Sequence, residues 1–326
     1  MGCANYHARS RFSDDGSVWL LRVPRITSSI PQSLSEYLIR SEYVTLKFLE
    51  TTNVPAPRVF DYDLASNENN KVGVSYNLME QMGGRPWNKQ GPHGERFADD
   101  KDKERVWNGL ADILIEIQRH PFSKAGSLLP GPVPSEPIVS AVAGDRFLVL
   151  SPSGPFGTAS DYYSSFVEQK MVLIADALAV DLNHDSLAAT EQFYIKHVDD
   201  KGDHLVVDDE LNITGIIDWQ MARVVPASEA FGPSLVTAEM GDIYNGESSL
   251  TIHDHALICF LKVKESADLA DIMSRDERLR RFFFGHWAAF GVDKDTDWKA
   301  WKVDMLEQYI HNGRLKHFTD RLGEGP

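Results

Sequence analysis

The chain has 326 residues, 42% hydrophobic and 25% charged, a globular composition with enough interior for one large or two modest domains. Lysine and arginine number 33 against 48 aspartates and glutamates, and the resulting net charge of −15 argues against nucleic acid or an anionic membrane as partner. Two cysteines, Cys3 and Cys259, build no disulfide framework, no run reaches membrane-span length, and the first residues form no apolar signal segment, so a cytoplasmic protein is expected. Met1-Gly2-Cys3 invites a lipidation reading, but Tyr6 stands where the myristoylation pattern wants Ser or Thr. Nothing in the composition sets the oligomeric state.

The elements follow in chain order. Residues 4–23 read as a hairpin, with turn chemistry at Ser13-Asp14-Asp15-Gly16. The period of two puts Val18, Leu20 and Arg22 on one face of its second strand. A helix opens after Pro31, with Ser33 or Ser35 as N-cap, and Ile39, Tyr43, Leu46 and Leu49 form its apolar stripe beside Glu42. Short strands are expected at Arg58–Tyr62 and Gly73–Glu80, the second leading into Gln81-Met82-Gly83-Gly84. Breakers from Gly83 to Gly94 mark a boundary, giving a first unit of residues 1–82 and a second of 83–326. Helices then read at Arg105–Gln118 and Asp161–Leu178, on either side of a Gly/Pro-rich stretch, Pro121–Pro155, that would wrap the second unit. Beyond Arg223 the pattern is mainly helical, at His253–Val263, Ala267–Phe290 and Asp295–Gly313, with Phe282, Phe283, Phe284, His286 and Trp287 as core aromatics.

The stretch that carries chemistry is Gln192–Arg223. The polar segment His197–His204 precedes an apolar run, Leu205-Val206-Val207, and a polar turn joins that run to a second, Ile213–Trp219. Two short β-rich runs around a turn make a hairpin, whose outer ends bring Asp199 and Asp218 toward one cavity. Two carboxylates so placed suit phosphoryl transfer: one orients and deprotonates a hydroxyl, and the other holds the divalent ion that bridges the nucleotide phosphates. Asp200, Asp208, Asp209 and Glu210 read as solvated turn residues, and His197 as a loop-fixing histidine rather than a base.

His197-x-Asp199 followed by Ile217-Asp218-Trp219 resembles the catalytic loop and metal-binding segment of the aminoglycoside phosphotransferase family, with wording closest to a fungal branch that phosphorylates small molecules. The resemblance implies an α+β, protein-kinase-like fold with a small antiparallel-sheet N-lobe and a larger, mainly helical C-lobe. It implies ATP and Mg²⁺ as cofactors and a small-molecule hydroxyl as acceptor, with Asp199 as base and Asp218 as metal ligand. By the same likeness Arg22 contacts the α/β-phosphates and Glu42 pairs with it, while Met79–Gly84, including Glu80 and Met82, forms the hinge that holds adenine. Gly2 and Asn5 match the end of the phosphate-cradling loop, without the strand that should precede it, and Pro55-Ala56-Pro57 matches a family Pro-x-Pro.

Other readings stand beside these: a solvated strand arginine for Arg22, a solvated helix glutamate for Glu42, and a generic strand exit for the hinge. One departure from the pattern bears on the metal. The family's H-x-D-x-x-x-x-N ends in a ligating asparagine, and His204 stands there instead, as a ligand that favours Mn²⁺ over Mg²⁺ or as a loop histidine. A pseudokinase-like binding protein, or an enzyme using the same cleft for other chemistry, are the rival functions.

Overall fold

The computed structural model describes residues 5–11, 18–25, 32–132, 136–144, 148–165, 191–199, 202–238 and 249–275. Gly2, Cys3, the N-terminal turn, Asp200, most of the helix expected at Asp161–Leu178, the aromatics after residue 280 and the helix at Asp295–Gly313 lie outside them.

β1 (Asn5–Arg11) and β2 (Val18–Pro24) pair antiparallel, β3 (Val59–Asp63) and β4 (Tyr76–Glu80) follow, and the sheet runs β1-β2-β4-β3. α1 (Gln32–Leu49) lies against β3 and β4, burying Leu38, Ile39, Leu46 and Leu49 together with Glu42. The helix starts earlier than its serines suggest, so Ser33 and Ser35 occupy its first turn and neither is the N-cap. β3 is shifted by one residue from the expected Arg58–Tyr62, and β4 starts later than the expected Gly73 because Asn70 caps the turn before it: its Oδ1 accepts from Val72 N and Gly73 N.

β5 (Arg85–Pro86) adds to the predicted hairpin of β11 (Leu205–Val207) and β12 (Ile213–Ile216). Between them come β6 (Ser127–Leu129) with β7 (Ile138–Ser140), and β8 (Val142–Gly144) with β9 (Leu148–Ser153). The stretch expected only to wrap the second unit therefore carries two small hairpins, since Ile138 and Val139 are β-formers between breakers. Gly84, at φ +111, lets the chain enter β5: a Cβ there would come 2.6 Å from Val207 O. β10 (Phe193–Lys196) pairs with β13 (Arg223–Pro226), and α3 (Ala227–Phe231), α4 (Ile252–Val263) and α5 (Ala267–Arg275) follow.

α2 (Asp100–Gln118) begins before its predicted start at Arg105, because Asp99 and Asp102 form a capping box there. Its inner face and those of α4 and α5 meet β10–β13 in a core built around Trp87, Trp107, Trp219, Phe193 and Phe231. No helix among the described residues is long and apolar enough to cross a membrane.

Glu116, buried near the end of α2, ties that helix to the segment that follows α1. It accepts from Asn53 N at 3.0 Å and Asn53 Nδ2 at 3.1 Å, and from Arg119 at 2.8 Å, while His120 Nε2 lies 3.1 Å away. The Asn53 backbone N–H does most to hold its carboxyl down to about 2, against burial, which raises it. An unfolded glutamate takes its proton at about 4.3. The carboxylate's contribution is therefore complete above that value and is lost as the pH falls toward 2. Glu116→Gln should destabilise the protein by about 2 kcal/mol at neutral pH, with the gap to wild type closing as pH drops to about 3. Thermal unfolding across that range measures it, and a pH-independent gap would contradict the account.

Candidate active site

Arg22 projects from β2 into the space between α1 and the β12 exit, where it is 4% exposed. Its Nη1 donates to Glu42 Oε1 and its Nη2 to Asp218 Oδ1, and Nη2 also donates to Gln220 Oε1 at 3.0 Å. With its amide turned to present oxygen, Asn5 accepts from Nε at 3.2 Å and from Nη2 at 2.7 Å. Burial opposes the guanidinium's charge, but Glu42 and Asp218 outweigh it and hold the proton more firmly than usual. Glu42, 1% exposed, also accepts from Asn77 Nδ2 at 2.8 Å. Burial pushes its carboxyl above the ordinary value, Arg22 pulls it back, and Asp218 adds to the rise.

Asp218 sits where β12 ends, in the left-handed region at φ 68, ψ 54. Aspartate tolerates that conformation better than most residues, and it starts the tight turn Trp219–Met221. Burial works to raise its carboxyl, but Arg22 first, then His204 and His197, bring it below the usual range. The carboxylate keeps 38% of its surface open.

Asp199 lies on the loop after β10, with its side chain 37% exposed. Hydrogen bonds fasten this loop to the Asp218 segment. His197 Nε2 is 2.9 Å from Ile217 O, Ile217 N donates to His204 O at 3.0 Å, and the His197 ring meets Trp219 edge-on. His204 Nδ1 is 3.0 Å from Asp199 O and donates to it, and His204 Nε2 lies 3.6 Å from Asp218 Oδ2. The hairpin thus brings Asp199, His204 and Asp218 to one place.

The sequence profile of the phosphotransferase enzyme family (APH) matches residues 5–241. The chain belongs to this family. Its architecture is accordingly the α+β, protein-kinase-like one. No curated protein matches the chain. Among solved structures, a macrolide 2'-phosphotransferase type I is similar at 16% identity, over 95% of this chain and 88% of that one, with a TM-score of 0.48. An ethanolamine kinase of Plasmodium vivax shares 10% identity over 95% and 80%, with a TM-score of 0.47. A microcompartment-associated aminopropanol kinase shares 14% over 87% and 89%, with a TM-score of 0.34.

In this family member the residues expected to form the hinge, Glu80 and Met82, stand at and just after the end of β4. Glu80 ends β4 and its Oε2 lies 3.4 Å from Arg58 N. Met82 packs on β12 at Gly215, where a Cβ would come within 2.6 Å of Met82 Cε, so the absent side chain is what admits the methionine. Sequence reading misses Asn77 and Gln220 as members of the charge cluster and assigns Asn5 to a phosphate loop rather than to Arg22. An asparagine in the middle of a strand between apolar neighbours is the one available signal, since a buried amide needs a partner.

For a divalent ion the protein offers Asp218 Oδ2 and His204 Nε2, 3.6 Å apart. Among the described residues no three His, Cys, Asp or Glu side chains converge as a metal cluster. Two protein donors fit an ion that takes its remaining ligands from phosphate and water. Imidazole makes the pair softer than two oxygens.

Proposed function

We propose that this phosphotransferase-family protein transfers the γ-phosphoryl group of ATP to a hydroxyl of a small molecule. The reading rests on one observation above all. A buried cation, Arg22, bridges Glu42 and Asp218, while Asp199 stands on the adjoining loop with an open carboxylate. Residues 1–82 act as the nucleotide-binding lobe and 83–326 as the acceptor-binding lobe, with the backbone at Glu80–Met82 against adenine.

Asp199 accepts the proton as the acceptor oxygen bonds to the γ-phosphorus, and the bond from that phosphorus to the bridging oxygen of ADP breaks. Arg22 turns part of its fork to the α- and β-phosphates, and Glu42 holds it in place. Asp218 and His204 would hold a divalent ion, which neutralises phosphate charge. Arg22 Nη2 already faces three protein acceptors, Asn5, Asp218 and Gln220, and this crowding favours a second reading, a binding protein without turnover. Labelled ATP offered with a panel of hydroxyl and amine metabolites tests the first reading. Nucleotide binding with no labelled product from any acceptor would favour the second.

The His204 position carries its own prediction. Mn²⁺ accepts imidazole more readily than Mg²⁺. Nucleotide affinity should therefore be higher with Mn²⁺, and His204→Asn should raise Mg²⁺-supported affinity by roughly threefold to tenfold, read by calorimetry. Equal affinities with Mn²⁺, Mg²⁺ and chelator, in wild type and variant alike, would remove His204 and Asp218 from any metal site.

A further inference from the structure

A pocket of about 740 Å³, counting the part open to solvent, runs from the catalytic loop into the second half of the molecule. One wall is the inner face of α2, with Leu110, Ile113, Leu114 and Ile117, and opposite it stand Leu257 of α4 and Met273 of α5. Asp199 and His204 lie at the catalytic-loop end. Arg22, Glu42 and Asp218 are not among the lining residues, while Ile216 and Trp219, on either side of Asp218 in the chain, are.

The polar atoms along the pocket are largely engaged by the protein itself. Trp219 Nε1 donates to Ile216 O at 2.7 Å, Thr237 Oγ1 to Asp254 at 2.5 Å and Lys196 Nζ to Glu229 O at 2.8 Å. A sugar with many hydroxyls would leave most of them unmatched, at a cost for each. A cationic acceptor needs carboxylates to replace its water. Asp199 is the one carboxylate among the described lining residues, and in the proposed reaction it faces the reacting hydroxyl. The protein's net charge of −15 would draw cations toward it, yet the pocket does not extend that preference inward.

We propose that the acceptor is a neutral, largely apolar alcohol, which buries its hydrocarbon body against α2, α4 and α5 and presents its hydroxyl to Asp199. This rests on the phosphotransferase reading for the reaction, but the binding preference belongs to the pocket alone.

The test is a ladder of straight-chain and cyclic alcohols, titrated into the wild-type protein by calorimetry without nucleotide and then offered with labelled ATP. Affinity should rise about fourfold for each added methylene until the pocket is full. An analogue with a terminal ammonium in place of a methyl should bind at least tenfold more weakly. Leu114→Asn should weaken the longer alcohols about tenfold with nucleotide affinity unchanged, and the wild-type ladder stands whether or not that variant folds. A flat ladder, or tighter binding of the ammonium analogue, overturns the apolar acceptor. So does a protein that phosphorylates polyhydroxylated or amino acceptors while sparing bound alcohols, an outcome that leaves the phosphotransferase reading standing. Absence of nucleotide binding under all conditions sinks that reading instead, and with it the acceptor role, however steep the ladder.

Discussion

Asp199→Asn should lower turnover by roughly a hundredfold or more while leaving nucleotide affinity within about twofold. The substitution keeps the side chain's shape and removes its ability to take a proton. It also keeps the bond that His204 Nδ1 donates to the Asp199 backbone carbonyl. The contacts described around Arg22 run to Asn5, Glu42, Asp218 and Gln220, and the substitution leaves those four side chains in place. The two readouts separate chemistry from binding: a drop in turnover with unchanged affinity fits the base, whereas near-normal turnover would rule that role out.

Removing Arg22 should be the most damaging single change to the first unit. Arg22→Ala strands Glu42, whose side chain is 2% exposed, and breaking a buried ion pair in this way costs about 3–5 kcal/mol. The loss should be smaller where Glu42 can keep its proton. Burial already holds that carboxyl above its ordinary value, and without Arg22 the opposing pull is gone. The folded variant would then bind a proton that the unfolded chain releases, so its stability should fall as pH rises through the carboxylate range and beyond. Nucleotide affinity should drop as well. Pairing with Glu42→Gln in a double-mutant cycle, read by denaturant unfolding, should give a coupling of about 2 kcal/mol; strictly additive losses would mean that the two side chains do not interact.

Much of this site is legible in the sequence for local reasons. Asp208 and Asn212 supply the turn that joins β11 to β12, and Asp208 Oδ1 accepts from Glu210 N and Asn212 N as that chemistry requires. Periodicity sets Arg22 on one strand face and Glu42 beside the apolar stripe of α1, and the family resemblance is what implies their pairing. The parts that escape are those with no local signature. β5 is two residues long and includes a proline, so it reads as a breaker, and only its approach to Val206 and Val207 makes it a strand. The contact of Arg22 with Asp218 spans 196 positions, and nothing in either neighbourhood announces it. The apolar pocket is assembled from several segments spread between Leu110 and Met273, and its helical ones read as ordinary core.

The left-handed backbone at Asp218 bears on how this position can be surveyed by substitution. A residue with a Cβ and no short polar side chain spends about 1–2 kcal/mol to hold φ 68. Alanine scanning would therefore register a folding defect and a chemical one in a single number. Asparagine keeps the backbone permissive and removes only the charge, and glycine keeps the backbone and removes the side chain. The difference between those two variants isolates what the carboxamide's bonds contribute, and the alanine value in excess of glycine isolates the turn. Few exchanges at this codon are neutral on both scales, so tolerance here is set as much by geometry as by catalysis.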